Sequence, residues 1–147
     1  MKYFFLFFFL PSLLNAQNIK VIDGDTIHIA KIKYRFHGID APELSQTCIH
    51  NNIHIKCGEL SKKKLIEKIG KKKVNCQKKA VDRYKRVVAE CYVNNESLSK
   101  YLVKNGYAFA YRKYSKKFVE DENYAKEKRL GLWSMDFQYP WYFRRKK

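Results

Sequence analysis

Acidic residues are scarce in this sequence. The 147 residues contain 14 Asp and Glu against 31 Lys and Arg, which gives a formal net charge of +17 at pH 7. Prolines number only three and hydrophobic residues reach 46%, which excludes a disordered basic tail. The length leaves room for one domain and argues against a second. A single folded domain of this charge predicts a polyanionic partner, with nucleic acid first and an anionic membrane surface second.

The chain also lacks a hydrophobic run long enough to cross a bilayer. The run from Tyr3 to Leu14 is interrupted by a proline and spans about twelve residues, whereas a transmembrane helix needs about 20. A lysine precedes this run and the small residue Ala16 follows it, as in a secretory signal peptide. We predict a signal peptide over 1–16 and a single domain over 17–147 with a basic C-terminal tail. A secreted or periplasmic protein without stable membrane insertion follows, and a retained anchor is the alternative.

Cysteines are few, but their number is even. Four cysteines in a small exported domain most often form disulfides, and three pairings are possible. Local spacing favours Cys48 with Cys57, and Cys76 with Cys91 if the strands that carry the second pair lie side by side.

The first pair permits a competing interpretation. Cys48, His50, His54 and Cys57 together supply the two sulfur and two nitrogen ligands of a zinc site. Their spacing differs from that of the usual zinc finger, and an exported chain favours disulfides. A titration that found four free thiols in the unreduced protein would reverse this preference.

The periodicity of the chain predicts a mixed fold. Alternating apolar residues over 19–29 flank an Asp-Gly-Asp turn, and 33–37 alternates again, whereas 44–56 has no clear period and is expected to be a loop. Further strands are predicted over 72–76, 87–93 and 107–111.

Three helices are predicted between and after these strands. The first ends at Gly70, Ser97 caps the second, and Ser115 opens a third that closes at Gly131. Short strands with interleaved helices predict an α+β fold, namely a five-stranded OB-type β-barrel with about three helices.

Four of the 14 acidic residues are clustered. Asp23 and Asp25 flank a turn, and Asp40 and Glu43 follow a strand, all within 21 residues. Carboxylate oxygens that converge in this way suit Ca²⁺ or Mg²⁺, and Ca²⁺ tolerates irregular geometry better. Each acid taken alone is also an ordinary turn former, so the pattern leaves both interpretations open.

Arginines lie next to this cluster. Arg35 is on the strand that leads to Asp40, and Arg83 and Arg86 lie in a predicted turn between two strands. A guanidinium group can pair with two oxygens of a phosphodiester as it gains negative charge, although a lone surface arginine is usually only solvated. A cation, arginines and one further carboxylate together would form the active site of a hydrolase.

Basic and aromatic residues indicate the partner. Residues 62–86 hold twelve Lys or Arg against two acids, and such a stretch can follow a phosphate backbone. Alternation places Tyr107, Phe109 and Tyr111 on the interior face, which leaves Tyr114 to stack on an unpaired base.

Several motifs follow one another in this order: Val21-Ile22-Asp23-Gly24-Asp25-Thr26, Arg35, Gly38-Ile39-Asp40-Ala41-Pro42-Glu43, Asp82-Arg83-Tyr84-Lys85-Arg86 and Gly131-Leu132-Trp133. From about residue 19 to 133 the pattern resembles the thermonuclease, or staphylococcal nuclease-like, family. It is most similar to exported bacterial members with paired cysteines.

The resemblance implies a role for each matching acid. Asp25 and Asp40 resemble the carboxylate ligands of a catalytic Ca²⁺, with the backbone carbonyl of Ala41 as a third ligand. Glu43 resembles the residue that acts as general base on the attacking water or orients it. Asp23 matches a neighbouring structural position.

The resemblance also implies how substrate is held. Arg35 and Arg86 resemble the pair that binds the phosphate and its transition state. Tyr84 and Tyr114 match positions that line the nucleotide pocket, and Arg83 is expected to contact the nucleotide there.

Three residues depart from the family pattern. Ala41 stands where the best-known member has threonine, which should be harmless because the ligand there is a backbone carbonyl oxygen. Lys85 stands where glycine is common, so the turn that presents Arg86 can differ in shape. Arg112 stands where a pocket tyrosine is known, which weakens the case for base stacking at that position.

The implied protein is a secreted, monomeric, Ca²⁺-dependent endonuclease that hydrolyses the bond to the 5′ oxygen in DNA and RNA, preferably in unpaired strands. The alternative is an OB-fold protein that binds single-stranded nucleic acid without cutting it. A membrane-active cationic protein would need a long basic amphipathic helix, and none stands out in the sequence.

Overall fold

The computed structural model describes residues 17–146, and the signal peptide predicted over 1–16 lies outside the described residues. The strands are β1 (Ile19–Val21), β2 (Thr26–Ile29), β3 (Ile32–Phe36), β4 (Ile39–Asp40), β5 (Cys48–His50), β6 (Ile53–Ile55), β7 (Asn75–Val81), β8 (Val87–Val93), β9 (Glu96–Ser97) and β10 (Phe109–Ala110). The helices are α1 (Cys57–Ile69), α2 (Leu98–Lys104), α3 (Val119–Glu127), a 3-10 helix (Gly131–Ser134) and α4 (Pro140–Arg145).

The main sheet has the strand order β1-β2-β3-β8-β7, and β9 pairs with β8. All these pairs are antiparallel except β3 with β8, which run parallel. The predicted Asp-Gly-Asp turn joins β1 to β2, with Val21 opposite Ile27. A second pair, β4 with β10, lies off this sheet and places Asp40 opposite Phe109.

Two hydrophobic clusters hold the elements together. The larger one packs Ile27 and Phe36 of the sheet with Leu65 of α1 and Leu98 of α2, all fully buried. The smaller one surrounds the buried Phe109 with the aromatic side chains of the C-terminal segment. Burial of this apolar surface is the main force that stabilises the arrangement.

Both predicted disulfides are confirmed. Cys48 and Cys57 join β5 to the start of α1, and Cys76 and Cys91 join opposite residues of β7 and β8. The two sulfur atoms of the alternative zinc set are therefore bonded to each other, which removes that set as a metal site.

The prediction of a loop over 44–56 is wrong, because β5 and β6 form a hairpin there. Asn51 and Asn52 connect the strands, with φ of 49° and 62°. Two consecutive left-handed residues are typical of the tight turns that match the twist of a hairpin, and asparagine tolerates them. Each strand has only three residues, too few for alternation to be visible in the sequence.

The third helix, expected from Ser115 to Gly131, spans only Val119–Glu127. The Ser115 hydroxyl oxygen accepts a hydrogen bond from the Lys117 N–H (3.1 Å), which closes a turn before the helix. Strand β7 spans Asn75–Val81 and not 72–76, because its exposed position does not require alternating apolar residues. Strand β10 covers only Phe109–Ala110 of the expected 107–111. Over residues 17–146 no helix has the length and apolar character needed to span a membrane.

Replacing the predicted cap of α2 tests the local structure. The Ser97 side chain accepts the Lys100 N–H (3.2 Å), which satisfies a backbone donor at the helix start. We expect Ser97→Ala to lower the free energy of unfolding by about 1 kcal/mol in urea titrations. Ser97→Thr retains the acceptor and should recover most of the loss; equal stability of Ser97→Ala and the parent would contradict a capping role.

Candidate active site

One open cleft of about 1190 Å³ collects residues that are far apart in the sequence. It receives side chains from the segment around β4, from the turn between β7 and β8, from the segment after β10 and from α4. Every predicted site residue lines this cleft: Asp25, Arg35, Asp40, Ala41, Glu43, Arg83, Tyr84, Arg86 and Tyr114.

Strand pairing explains the convergence. The β2–β3 register sets Thr26 opposite Arg35, so Asp25 lies near the Arg35 guanidinium. The parallel pairing of β3 with β8 sets Arg35 opposite Val88 and brings the turn before β8 to the same cleft. Asp40 ends β4, which β10 holds in place.

Asp25 and Asp40 are both buried and share one arginine. Arg35 Nη1 lies 2.9 Å from Asp25 Oδ2, and Arg35 Nη2 lies 3.0 Å from Asp40 Oδ1. Arg35 also donates to the backbone carbonyls of Phe36 (3.3 Å) and Ile39 (3.2 Å). Because buried charges are costly unless paired, this guanidinium is part of the fold as well as of the cleft.

The buried Asp25 carboxyl is costly to ionise. Burial raises the pKa of this carboxyl to about 8; Arg35 opposes the rise, Asp23 and Asp40 add to it, and the Ala41 N–H, which donates at 2.6 Å, lowers it.

The donor set fits a hard divalent cation. Asp25 and Asp40 offer carboxylate oxygens held close together by one guanidinium, and the Ala41 carbonyl belongs to the same lining. Within 17–146, no group of three or more His, Cys, Asp or Glu side chains could hold a metal ion by itself. A cation here would therefore use few protein ligands, and since Ca²⁺ takes 6–8 oxygens, water and substrate would supply the others.

Glu43 lies at the cleft with its side chain 38% exposed. Its loop is held by Gln46, whose buried side chain accepts the Glu43 N–H (3.2 Å) and donates to the Gln138 carbonyl (2.5 Å). Gly58 of α1 packs so closely on the Glu43 carbonyl that any side chain at position 58 would collide with it. The backbone at Glu43 is thus fixed from two sides while its carboxylate stays accessible to water.

Asp82 organises the turn that carries Arg86. Its Oδ1 accepts the backbone N–H groups of Tyr84 (2.9 Å) and Arg86 (3.0 Å), and its Oδ2 accepts the Arg86 Nε–H (2.8 Å). Burial raises the pKa of Asp82, but the hydrogen bonds and charge of Arg86 outweigh it and lower the pKa. Lys85 adopts φ of 63°, a left-handed conformation that glycine adopts without strain. The turn therefore forms although lysine stands where glycine is common.

Aromatic residues flank the cleft. Tyr84 is 63% exposed and Tyr114 is 66% exposed, and the guanidinium of Arg83 lies 4.9 Å from the Tyr84 ring centroid. Tyr111 was expected in the interior, but it is only half-buried and lines the cleft. Its ring stacks on Trp141, with 5.6 Å between the ring centroids. Phe109 is fully buried, as predicted.

Arg144 is the functional-site residue that sequence reasoning missed. Its Nη2 lies 2.7 Å from Asp40 Oδ2, and its Nη1 donates to Asp40 Oδ1 (3.1 Å) and to Glu43 Oε1 (2.8 Å). The sequence shows Arg144 only as one of several bases in a basic tail, more than 100 residues from its partners. No local spacing rule could have paired them.

The main sheet with its flanking helices represents the OB-type class of fold. Residues 33–135 match the family model described as "Staphylococcal nuclease homologue", and the chain belongs to this family. The thermonuclease-like resemblance of the motifs is thereby confirmed.

Curated relatives agree with this assignment. The chain is 34% identical to an "Uncharacterized endonuclease" of Haemophilus influenzae over 79% of its length, and 31% identical to a "Micrococcal nuclease" of Shigella flexneri over 88%. It is 33% identical to a probable staphylococcal-like nuclease of Oryza sativa subsp. japonica over 92%. The match covers 64% of the Haemophilus protein, 80% of the Shigella protein and 35% of the rice protein.

Proposed function

We propose that this protein is a secreted, Ca²⁺-dependent nuclease that hydrolyses phosphodiester bonds in DNA and RNA as an endonuclease. The observation that carries the proposal is the convergence of Asp25, Asp40, Glu43, Arg35 and Arg86 on one cleft. Family membership and the names of the relatives support it. The net charge of +17 supports a polyanionic substrate.

Asp25, Asp40 and the Ala41 carbonyl would hold the Ca²⁺. When bound, the cation supplies Lewis-acid stabilisation of the phosphate oxygens. Both carboxylates must be ionised to act as ligands, and the Arg35 guanidinium lies 2.9 Å from Asp25 and 3.0 Å from Asp40.

Glu43 acts on the attacking water. Its carboxylate accepts a proton as the water oxygen forms a bond to phosphorus, and the bond from phosphorus to the 5′ oxygen breaks. A partly exposed carboxylate on a backbone fixed by Gln46 suits this role, because the base needs access to water and a defined position. The released 5′ oxygen takes a proton, which leaves a 5′ hydroxyl and a 3′ phosphate.

Arg35 and Arg86 stabilise the charge that develops. The five-coordinate phosphorus carries more negative charge than the ground state, and planar guanidinium groups can pair with two of its oxygens. Arg86 donates its Nε–H to Asp82. This hydrogen bond uses one of the five N–H donors of Arg86 and orients its guanidinium group. The substrate phosphate would therefore lie between two arginines that come from neighbouring, parallel-paired parts of the sheet.

Exposed tyrosines support a preference for unpaired strands. Tyr84 and Tyr114 are exposed at the cleft, and unpaired bases can stack on exposed aromatic rings. The two disulfides support export, because such bonds persist in oxidising compartments. We expect a monomer, since one chain supplies all the residues named.

Digestion of plasmid and single-stranded DNA tests the function. The protein is incubated with substrate and Ca²⁺, and a parallel tube contains EDTA in excess. We expect degradation only with Ca²⁺. Intact nucleic acid in both tubes, with retained binding in a gel-shift assay, would favour the non-catalytic single-strand binder instead.

Removing one exposed ring tests the substrate preference. We expect Tyr114→Ala to weaken binding of single-stranded DNA roughly tenfold, because stacking on one base contributes about 1–3 kcal/mol. Duplex DNA should be affected much less, since its bases are already stacked. Tyr124→Ala, which removes an exposed tyrosine outside the cleft lining, is the matched control. Equal losses for the two substrates would contradict a stacking role.

A further inference from the structure

Asp40 is held by two arginines of different kinds. Its Oδ1 accepts hydrogen bonds from Arg35 (3.0 Å) and Arg144 (3.1 Å), and its Oδ2 accepts one from Arg144 (2.7 Å). Arg144 thus donates to both oxygens of the Asp40 carboxylate, and this bidentate geometry makes guanidinium–carboxylate pairs strong. It also reaches Glu43 (2.8 Å), so one side chain spans the proposed cation ligand and the proposed base.

The two arginines differ in how they are attached. Arg35 lies on a central strand, is 16% exposed and also donates to backbone carbonyls, so it belongs to the fold. Arg144 lies on α4, a terminal helix of six residues, and its side chain is 40% exposed. Release of Arg144 therefore breaks no strand pairing.

The anchor of α4 is separate from Arg144. Trp141 stacks between Tyr139 (4.5 Å between centroids, 13° between planes) and Tyr111 (5.6 Å, 17°). This aromatic stack can hold the start of α4 against the domain while the guanidinium leaves the carboxylates. Arg144 is thereby kept near the cleft at a high effective concentration.

A divalent cation and this guanidinium need the same oxygens. Both carry positive charge and both must contact Asp40, whose two oxygens already accept hydrogen bonds from Arg35 and Arg144. A divalent cation on the same oxygens would add a third positive charge beside these two guanidinium groups, which repel it. We propose that Arg144 is an internal competitor of the divalent cation: it occupies Asp40 and Glu43 in the cation-free protein and is displaced when the cation binds. The proposal rests on the cation site of the proposed function.

Two consequences follow from this competition. The cation affinity is lower than Asp25 and Asp40 alone would give, because binding includes the cost of breaking the Arg144 contacts. Cation binding also frees Glu43 from its ion pair, so the carboxylate becomes available to water at the same time as the cation arrives.

Isothermal titration with CaCl₂ alone, without nucleic acid, tests the competition. We expect Arg144→Gln to bind Ca²⁺ about tenfold more tightly than the parent protein, since a charge-assisted pair is removed from the cation-free state. Arg145→Gln is the matched control: it removes the same charge from the same helix, but Arg145 lies over the Tyr142 ring (5.6 Å) and not on a carboxylate of the cleft. Its Ca²⁺ affinity should stay within about twofold of the parent.

A second measurement follows Arg144 directly. In ¹⁵N-arginine-labelled protein, the Arg144 Nε–H resonance is identified by its loss in Arg144→Gln. We expect it to shift and to exchange faster with solvent when Ca²⁺ saturates the site. Arg144→Lys keeps the positive charge but cannot form the bidentate pair, so its Ca²⁺ affinity should lie between those of the parent and Arg144→Gln. This variant replaces Arg144→Gln in the test if Arg144→Gln does not fold.

The outcomes separate this inference from the proposed function. Equal Ca²⁺ affinity of the parent, Arg144→Gln and Arg145→Gln, with Ca²⁺-dependent cleavage intact, would overturn the competition and leave the function standing. An Arg144 resonance unchanged at saturating Ca²⁺ would do the same. Absence of Ca²⁺ binding in all variants, together with uncut DNA, would overturn the function and with it the competition.

Discussion

Glu43→Gln should digest single-stranded DNA at least a hundredfold more slowly than the parent protein while folding normally. The amide cannot accept the proton of the attacking water, and general base catalysis typically contributes a factor of about 10² to 10⁴. The fold should survive, because the side chain is 38% exposed and the amide oxygen can still accept the Arg144 hydrogen bond. Initial rates at saturating Ca²⁺, with thermal unfolding beside them, measure both effects.

The matched control for this variant is Glu120→Gln. It makes the same isosteric change at an exposed position in the first turn of α3, away from the cleft lining. Its digestion rate should equal that of the parent. If Glu43→Gln also retained the parental rate, Glu43 would have no part in the chemistry.

Arg86→Met is expected to lose about 3 kcal/mol or more of transition-state stabilisation, which is roughly a hundredfold or more in rate. The methionine retains most of the apolar stem but has no donor for the phosphate oxygens. Arg35 would be a poorer choice, because its removal leaves Asp25 and Asp40 buried without their shared partner and threatens the fold. Single-turnover cleavage measures the effect on the chemical step.

Lys85→Met provides the comparison for Arg86→Met. It removes one positive charge from the same turn, at a residue that does not line the cleft and whose backbone keeps the same left-handed conformation. We expect only the small, salt-dependent loss that any surface charge near a polyanion contributes. Similar losses for both variants would mean that Arg86 acts through general electrostatics and not as a phosphate ligand.

The site could be predicted to a large extent because its parts lie in short motifs. Asp25 and Asp40 each follow a local pattern, and Arg35 lies on the strand between them, so sequence order already placed them near one another. The disulfides were predictable for a similar reason, since each joins cysteines within 15 residues. Local signals of this kind survive in the sequence without any knowledge of the fold.

The errors came from elements with weak periodicity. The β5–β6 hairpin has strands of three residues, and β7 is exposed along nearly its whole length, so neither shows the apolar alternation that marks a half-buried strand. Helix α4 lies in a segment of aromatic residues followed by basic residues, a composition that indicates a tail. Its Trp141 is half-buried because the C-terminal segment folds back on Phe109.

By itself, the sequence determined the charge and the chemical types of the residues in the cleft, because composition carries this information. Its short-range spacing favoured the cysteine pairs that the structure shows. Only the tertiary structure decided that Arg144 lies on Asp40 and Glu43, and that Gln46 ties the Glu43 loop to Gln138. Contacts between residues about 100 positions apart depend on how helices and strands pack, and packing leaves no local pattern in the chain.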